Sequence, residues 1–489
     1  MNRLQKRAKP ESPEQIKEDA AAKARQFQTL RGMKDVSADD AVRFLYIEQV
    51  ARRMAADYGF HFIETPILEE SALFVKTIGR GTDIVEQEMF SFETQGGERV
   101  SLRPENTAAI VRAYIQHGMW SLPQPVKLWY WGPFFRYDRP QAGRFRQFHQ
   151  LGFEILADAH PMSDALLLIQ CAEFCEILGL SVELKVNSIG CPLCRPAYVE
   201  NLTRYYRERR NTLCIECKKR LQKNVLRVLD CKESGCSRVK EDAPQSVDYL
   251  CEACKDHFMR LLEYLDERDV SYVLEPTLVR GLDYYTRTVF EIFSVAREEG
   301  HSHALGGGGR YDGLVEFLGG RPTAGLGVAF GVERLATALR SSGVAAEKTV
   351  EERRVFVAQL GEAARRKALK LYGLLRKEGI PVAQSFSKDG LKAQLEIANQ
   401  LKVPLTLILG QKEVLDQTIL LRDMEGGVQE IVPYDRVVSE IKRRLAELVG
   451  SAPVKESGID HSTALGAGKN EVEDKVSSDD VIEDSVITH

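Results

Sequence analysis

Hydrophobic residues recur along the chain at helix and strand spacings, and the order of the predicted helices and strands changes near Val355. This change predicts two domains. From Ala41, apolar residues return at helical spacing, which predicts an amphipathic helix. From there to about residue 345, strand-like stretches alternate irregularly with helices, which favours an α+β fold with a large antiparallel or mixed sheet. From Val355, strand, helix, strand, helix and strand follow in order, which predicts an α/β domain with a parallel sheet.

Composition sets the remaining boundaries. Residues 1–27 are polar and predict an exposed helix or a disordered N-terminal extension. A linker-like stretch, SSGVAAEKTVEERR, separates a first domain at 28–345 from a second at 352–448. Residues 451–489 lack periodicity and aromatic side chains, which predicts a disordered acidic tail.

Charge and hydropathy narrow the protein class only a little. The net charge of the 489 residues is −4, and the tail at 451–489 holds nine acidic residues against three lysines. The rest of the chain is therefore close to neutral, which neither supports nor excludes a nucleic-acid partner. The chain shows neither a secretory signal nor an apolar run long enough to span a bilayer. We expect a cytoplasmic protein with no membrane association.

The segments KLWYWGPFFRY (127–137) and RQFHQLGFEIL (146–156) predict two strands joined as a hairpin. Because side chains alternate along a strand, one face of the second strand carries Phe148, Gln150, Gly152 and Glu154. The better core face carries Leu151, Phe153 and Ile155. The first face suits a flat polar ligand, and the arginines around the loop suit anionic oxygens. These arginines are Arg136, Arg139, Arg144 and Arg146. The alternative interpretation is a solvated hairpin with surface ion pairs.

Four further segments carry groups suited to a polar ligand, namely SLRPENTAAIVRA (101–113), LVRGLDYYTRTVFEI (278–292), ALGGGGRYDGL (304–314) and AGLGVAFGVERL (324–335). A fifth segment, GFHFIETPILEE (59–70), predicts a strand that runs into Pro66. Taken singly, each also has an ordinary structural interpretation. Glu and Thr favour a helix N-terminus, glycine runs form loops, and an arginine early in a helix is often exposed. The combination is more specific than any one segment.

Together these segments resemble the histidyl members of the class II aminoacyl-tRNA synthetases. FRYDRPQAGRFRQFHQLGFE resembles class II motif 2, and residues 324–335 resemble motif 3. Residues 278–292 and 304–314 resemble two signatures of the histidyl enzymes. Residues 59–70 resemble motif 1, which implies a homodimer. VFVAQLG, SKDGLKAQLEIANQL and LTLILGQKE resemble the anticodon-binding domain, so the likeness covers about 28–445.

The resemblance implies a reaction and a set of site residues. L-histidine would be activated with ATP and Mg²⁺, and then transferred to tRNA(His). The catalytic residues would be Arg136 and Arg280, at the α-phosphate and the histidine carboxylate. The other ATP contacts would be Arg144, Phe148 and Arg334, with Phe148 on adenine. The histidine contacts would be Glu105, Thr107, Gln150, Glu154, Tyr284, Tyr285 and Tyr311. The tRNA contacts would be Arg139, Gln141, Lys388 and Lys392. Ala142 departs from the family, which often has lysine there.

Eight of the ten cysteines lie in an insertion at about 190–255. They are Cys191, Cys194, Cys214, Cys217, Cys231, Cys236, Cys251 and Cys254. The first four closely match a C-x-x-C…C-x-x-C zinc pattern, and the second four match it more loosely. Two structural Zn²⁺ sites, sequential or interleaved, are expected, and reduced cysteines without metal are the alternative. The other two cysteines, Cys171 and Cys175, are expected in a helix core.

Two competing functions remain to be weighed. The regulatory subunit of ATP phosphoribosyltransferase resembles the catalytic domain, but it is expected to lack the 278–292 signature and the anticodon domain. A zinc-dependent RNA-binding module would explain the cysteines and leave the arginine-rich hairpin without a purpose. Only the synthetase should convert ATP to AMP when histidine is present.

Overall fold

The computed structural model describes residues 27–79, 82, 84–138, 143–295, 304–343 and 355–450. The predicted N-terminal extension (apart from its last residue), the linker (apart from residues 341–343), the tail at 451–489, and the candidate tRNA contacts Arg139 and Gln141 lie outside the described residues. The chain divides into two compact units, one up to residue 349 and one from residue 350.

The strands of the first unit are β1 His61–Phe62, β2 Leu68–Glu70, β3 Ser91–Glu93, β4 Arg99–Leu102, β5 Val126–Phe135, β6 Gln147–Leu156, β7 Val182–Ser188, β8 Tyr272–Leu274, β9 Thr286–Ser294, β10 Ala304–Arg310 and β11 Gly325–Gly331. Its helices are α1 Ala38–Asp57, α2 Ser71–Ile78, α3 Thr107–Gln116, α4 Pro161–Ile177, α5 Arg195–Glu208, α6 Ile215–Lys223, α7 Ser234–Glu241, α8 Glu252–Asp266, α9 Leu314–Phe317 and α10 Val332–Ser341.

In the described part of the first unit, eight strands form one sheet in the order β1-β5-β6-β11-β10-β9-β7-β8. Neighbours are antiparallel except for the parallel pairs at the two edges, β1 with β5 and β7 with β8. The predicted α+β fold is therefore confirmed. Helix α1 confirms the helix predicted from Ala41, and it buries Ile47, Ala51 and Met54 in the core.

One face of this sheet forms the hydrophobic core. Leu151, Phe153 and Ile155 of β6 are buried there, which confirms the face predicted by alternation. Cys171 and Cys175 of α4 pack in the same core, as expected. The opposite face of β6 carries the polar side chains, so the hydrophobic core and the predicted ligand contacts lie on opposite faces of the strand.

The segment HFIETPILEE differs from the single strand predicted for it. It forms two short strands, β1 and β2, which belong to different sheets. Pro66 lies between them and has no N–H to donate to a ladder, so the extended pairing stops there. Strand β2 pairs instead with β4 in a small antiparallel sheet that β3 completes.

The second unit contains β12 Val355–Gln359, β13 Val382–Gln384, β14 Leu405–Leu409, β15 Thr418–Asp423, β16 Gln429–Pro433, α11 Glu362–Lys377, α12 Leu391–Gln400, α13 Gln411–Leu415 and α14 Val437–Gly450. Its described sheet has the order β13-β12-β14-β15-β16. The three predicted strands, β12, β13 and β14, are parallel, which confirms the prediction, but β15 and β16 were not predicted and run antiparallel. The short helix α13 is the reason, because a parallel crossover needs about a dozen residues or more.

The cysteine-rich insertion contains α5, α6 and α7 and has a small core of its own. Tyr198, Leu202 and Tyr206 of α5 are buried in it. The same cluster includes Leu278 and Tyr285, which belong to the segment before β9. The insertion therefore packs directly on the predicted histidine-binding segment. Among the described helices of the chain, none is long and apolar enough to cross a membrane.

Candidate active site

A cavity of about 780 Å³ opens over the polar face of the β5–β6 hairpin. The residues predicted to contact ATP or histidine all line it, and they come from six separate stretches of the chain. They are Glu105, Thr107, Arg136, Arg144, Phe148, Gln150, Glu154, Arg280, Tyr284, Tyr285, Tyr311 and Arg334. The structure thus brings the predicted set together, and the part each residue plays is a proposal treated below.

The base of the cavity depends on glycines that face larger polar side chains. Gly327 on β11 pairs with Glu154 on β6. A Cβ atom at Gly327 would lie 1.8 Å from Oε2 of Glu154, so only glycine leaves room for that carboxyl. Gly152 likewise lies against Tyr130 of β5, whose ring would be 2.4 Å from an added Cβ. The bare backbone therefore makes space for the polar groups.

Glu154 lies at the floor of this cavity and is 1% exposed. Its Oε1 accepts a hydrogen bond from the Thr107 hydroxyl at 2.8 Å, and its Oε2 accepts one from Tyr311 at 2.5 Å. Burial raises the pKa of Glu154 to about 8, although these two hydrogen bonds oppose the shift. A carboxyl held in this way is suited to pair with a cationic or N–H-bearing ligand.

Glu105 has a structural contact that competes with its predicted function. Its carboxylate accepts the backbone N–H groups of Thr107 at 2.7 Å and Ala108 at 3.0 Å. These bonds satisfy donors in the first turn of α3, so the interpretation as a helix cap is confirmed. The same carboxylate also accepts the Tyr284 hydroxyl at 3.4 Å, and burial raises its pKa. It still faces the cavity and is free to contact an ammonium group there.

Oε1 of Gln150 and Nε of Arg280 are buried at the cavity and have no hydrogen-bond partner within the described residues. Leaving a buried polar atom unpaired costs about 1–3 kcal/mol, so such atoms are usually satisfied by something that binds. The Arg280 guanidinium is held from behind, because its Nη1 donates to Glu291 of β9. Both observations point to a polar ligand between these side chains.

Three arginines form a cationic end of the cavity. Arg136 donates from Nε to the Pro104 carbonyl at 2.9 Å, and its guanidinium lies 5.4 Å from the Phe148 ring centroid. Arg144 pairs with Asp138 at 2.8 Å. Arg334 donates to the Ala304 carbonyl at 2.7 Å.

The guanidinium of Arg334 is buried close to other cations. Burial and the neighbouring cations Arg144 and Arg136 lower the pKa of Arg334 to about 10. A polyanion in the cavity would remove this repulsion. The cationic end therefore suits the phosphates of a nucleotide, and the adjoining Phe148 ring suits a base.

The sequence analysis missed several residues that belong to this cavity. Tyr130 lines it, and the two-residue period counted back from Arg136 along β5 would have found it. Glu291 and Glu333 also line it. Glu333 accepts the backbone N–H of His149 at 2.9 Å, a contact between α10 and β6. Pairing across 184 residues leaves no signal in the sequence.

The eight insertion cysteines form two groups, and the grouping corrects the pattern predicted from spacing. The outer cluster contains Cys191, Cys194, Cys251 and Cys254. The inner cluster contains Cys214, Cys217, Cys231 and Cys236. The inner group is therefore nested inside the outer one, and the match of the first four cysteines to one site was wrong. Two C-x-x-C pairs can be consecutive in sequence without meeting, because tertiary contacts decide which pairs come together.

Within each cluster the sulfur atoms all lie within 4.8 Å of one another. The Sγ atoms of Cys191 and Cys194 are 3.7 Å apart, and those of Cys214 and Cys231 are 3.9 Å apart. Zn–S bonds of about 2.3 Å would place the sulfurs of a tetrahedron about 3.8 Å apart. The geometry and the all-sulfur donor set both fit Zn²⁺.

The described candidates for tRNA contact lie in the second unit. Lys388 and Lys392 are exposed on either side of the N-terminus of α12. The Lys388 carbonyl accepts a hydrogen bond from the buried Gln359 at 3.1 Å, which fixes the backbone of this turn. Both ammonium groups are thus available to a polyanion at one end of the domain.

Comparison with known proteins agrees with this geometry. A family model described as histidyl-tRNA synthetase matches residues 32–335, and one described as anticodon binding domain matches residues 354–444. Histidine–tRNA ligase from Dehalococcoides mccartyi is 45% identical over 420 residues, covering 86% of this chain and 100% of that protein. The enzyme from Pelotomaculum thermopropionicum is 44% identical, covering 85% and 97%. The crystal structure of apo S. aureus histidyl-tRNA synthetase has a TM-score of 0.71 at 32% identity, covering 85% and 100%.

Proposed function

The chain belongs to the histidyl-tRNA synthetase family, and from that premise we propose that the cavity around Glu154 is where L-histidine reacts with ATP. The chain is a histidine–tRNA ligase, an ATP-dependent enzyme that charges tRNA with histidine. One observation carries the assignment of the site. A buried carboxyl, held by Thr107 and Tyr311, shares one cavity with a cluster of arginines.

In the first step a histidine carboxylate oxygen attacks the α-phosphorus of ATP. The bond to the bridging oxygen of the β-phosphate breaks, and pyrophosphate leaves with that electron pair. The step transfers no proton, so the protein has to orient two anions and stabilise charge on the phosphoryl oxygens. Arg136 and Arg280 contact the α-phosphate and the carboxylate, and Arg144 and Arg334 contact the other phosphates. Phe148 stacks on adenine.

Histidine is selected by its ring and held by its ammonium group. Glu154 accepts a ring N–H, and Gln150, Tyr285 and Tyr311 border the imidazole. Glu105, Thr107 and Tyr284 surround the ammonium end. A site built to hydrogen-bond a substrate rejects analogues that leave its buried groups unpaired, which gives discrimination of about 10⁴-fold.

In the second step a ribose hydroxyl at the 3′ end of tRNA(His) attacks the histidyl carbonyl carbon, and AMP leaves. Arg139 and Gln141 contact the acceptor end, and Lys388 and Lys392 contact the anticodon region. The exposure of both lysines supports the second assignment.

Class II synthetases in general use ATP with Mg²⁺. Glu291 and Glu333 line the cavity and offer carboxylate oxygens, the ligand type that Mg²⁺ prefers. Bound Mg²⁺ would neutralise charge on the phosphates as pyrophosphate leaves. Glu291 also holds Arg280, so this carboxylate orients one of the catalytic arginines.

Each cysteine cluster binds one structural Zn²⁺, which stabilises an insertion whose own hydrophobic core is small. Protein purified without chelator is expected to contain two zinc ions per chain, measured by mass spectrometry of the metal. Cys214→Ser should lower the content to one. Well under one ion per wild-type chain would contradict the proposal and favour reduced cysteines.

The enzyme is a cytoplasmic homodimer. Phe62 and Leu68 of the motif 1 region are 49% and 45% exposed, Phe92 of β3 is 48% exposed, and β1 lies at a sheet edge. Covering this apolar surface with a second copy is the expected arrangement. Light scattering in solution should give twice the chain mass of 55.0 kDa, and a monomer at micromolar concentration would contradict it. The free cysteines fit a reducing compartment.

Histidine-dependent ATP–pyrophosphate exchange tests the assigned site directly. Exchange should require histidine, and no other amino acid should replace it. A folded, zinc-replete enzyme without exchange would favour the regulatory or RNA-binding alternatives. The match of residues 354–444 to an anticodon-binding domain already argues against the regulatory subunit.

A further inference from the structure

The loop Leu278–Tyr285, which carries Arg280 and two of the proposed histidine contacts, lies between β8 and β9. It has no helix or strand of its own. The position of such a loop depends on contacts with neighbouring segments. Several of these contacts come from the cysteine-rich insertion, and they reach the loop from both clusters.

The outer cluster reaches the loop through Arg195. This residue directly follows Cys194, and its Nη2 donates to the Tyr285 carbonyl at 2.6 Å. Its Nε donates to the Ile189 carbonyl at 3.1 Å. The backbone adds a further bond, because the Arg287 N–H donates to the Gly190 carbonyl at 2.9 Å, next to Cys191. The cluster thus fixes the end of the loop that enters β9.

The inner cluster reaches the loop through Asn224. This residue follows α6, the helix that carries Cys217, and it precedes Cys231 by one turn of 3₁₀-helix. Its Nδ2 donates to Oδ1 of Asp283 at 2.8 Å. Its Oδ1 accepts the Leu226 N–H at 3.1 Å, which fixes the orientation of the amide. The contact lies three residues from Arg280.

The two connections share one packed core. Leu278, Val279 and Tyr285 of the loop are buried in the same cluster as Cys217 and Cys231. A second cavity of about 240 Å³ lies between part of the loop and the insertion, and Arg195, Asn224, Asp283 and Arg280 line it. The cavity leaves part of the loop without close packing. The position of that part therefore depends more strongly on individual polar contacts than it would in a continuously packed core.

We infer that the two cysteine clusters position the loop Leu278–Tyr285 through Arg195 and Asn224, so that losing metal lowers histidine activation in an enzyme that is still folded. The inference rests on the proposed function of Arg280 and Tyr284. Asn224 and Arg195 are positioning residues, since neither reaches the reacting atoms. The insertion therefore acts on the first, tRNA-independent step of the reaction.

A reciprocal exchange tests the inner connection. Asn224→Asp places a second carboxylate against Asp283, and we expect the KM for histidine to rise about tenfold while the KM for ATP changes less than about twofold. Adding Asp283→Asn restores the donor–acceptor pair with its direction reversed, and it should return the KM for histidine to within about twofold of the wild type. Asn201→Asp, at a half-buried position of α5 whose side chain hydrogen-bonds within the same helix, is the matched control.

Zinc content and melting temperature are measured for every variant, so that loss of metal or of folding is seen separately. An unchanged KM in Asn224→Asp overturns the inference, and so does a double variant no better than the single ones. Wild-type enzyme that lacks histidine-dependent exchange would instead refute the proposed function, which keeps the two failures distinct.

Hydrogen exchange supplies a readout independent of activity. Metal is removed from the wild-type enzyme with a mercurial reagent and a chelator below its melting temperature. Amides in peptides covering 278–289 should then exchange at least about tenfold faster, and those covering 147–156 should be unchanged. Equal exchange in 278–289 with and without metal overturns the inference, as does equal acceleration in both peptides.

Discussion

Replacing Glu154 with alanine is expected to lower kcat/KM for histidine activation by about 10⁴-fold, measured by ATP–pyrophosphate exchange. The carboxyl is 1% exposed and is held from two sides by Thr107 and Tyr311. Alanine removes the proposed acceptor of the imidazole N–H and leaves the two hydroxyl groups of Thr107 and Tyr311 without their acceptor. Leaving buried hydrogen-bonding groups unpaired is costly in an enclosed site.

Two variants separate the causes of this loss. Glu154→Gln keeps the shape and one accepting oxygen but cannot ionise, so a loss close to that of alanine would show that histidine binding requires the ionised carboxylate. Glu176→Ala, at the exposed end of α4, should activate histidine at the wild-type rate. Near-normal activation by Glu154→Ala would contradict the assignment of the histidine site.

The same carboxyl predicts a pH dependence of folding stability. Burial raises the pKa of Glu154 from 4.5 to about 8, so between these values the folded chain holds a proton that the unfolded chain has released. The free energy of unfolding therefore falls as pH rises through this window. The melting temperature of Glu154→Gln relative to wild type should rise from about pH 4.5 to about pH 8. A difference that is constant with pH would contradict the raised pKa.

Replacing Arg280 with alanine is expected to lower kcat for histidine activation by about 10³-fold. The guanidinium is fixed by Glu291, and its buried Nε has no partner among the described residues. It is therefore oriented before the substrates bind, and the charge that develops on the α-phosphate meets a donor already in place. Because this interaction strengthens as the reaction proceeds, kcat should fall more than the affinity for ATP does.

Arg280→Lys tests the geometry of this interaction. Lysine keeps the charge but lacks the planar fork, so most of the loss should remain. Arg260→Ala, an exposed arginine of α8 that pairs with Asp256, is the control and should keep full activity. An Arg280→Ala enzyme with kcat within a few-fold of the wild type would rule out the proposed α-phosphate contact.

The period of two along β6 explains why so much of the site could be anticipated. Counting alternate positions separates Phe148 and Glu154 from Leu151 and Phe153, and the structure has the two sets on opposite faces. This works because the strand is regular and one of its faces is buried, so its register is strongly specified. The assignment of a particular substrate to that face came from the family resemblance.

Features that depend on long-range contacts could not be predicted in this way. Glu291 and Arg280 form an ion pair because the loop Leu278–Tyr285 folds back on β9, and no local sequence pattern predicts that contact. The nesting of the cysteines has the same origin, since Cys251, which immediately precedes α8, lies 3.9 Å from Cys191 although 60 positions separate them in the chain. The antiparallel strands β15 and β16 were missed because the short helix α13 does not form a parallel crossover, and the chain after it returns antiparallel to β14.

The nested order of the cysteines also sets an order of assembly. The inner cluster closes between Cys214 and Cys236, whereas the outer cluster joins residues 60 positions apart. Loop-closure entropy grows with the length of free chain, so closing the inner centre first shortens the flexible path that the outer pairs must span. We therefore expect the inner cluster to form before the outer cluster while the chain is being synthesised. The outer cluster, which contacts the entry to β9 through Arg195, would be completed last, so the loop that carries Arg280 would gain these contacts at the end of that order.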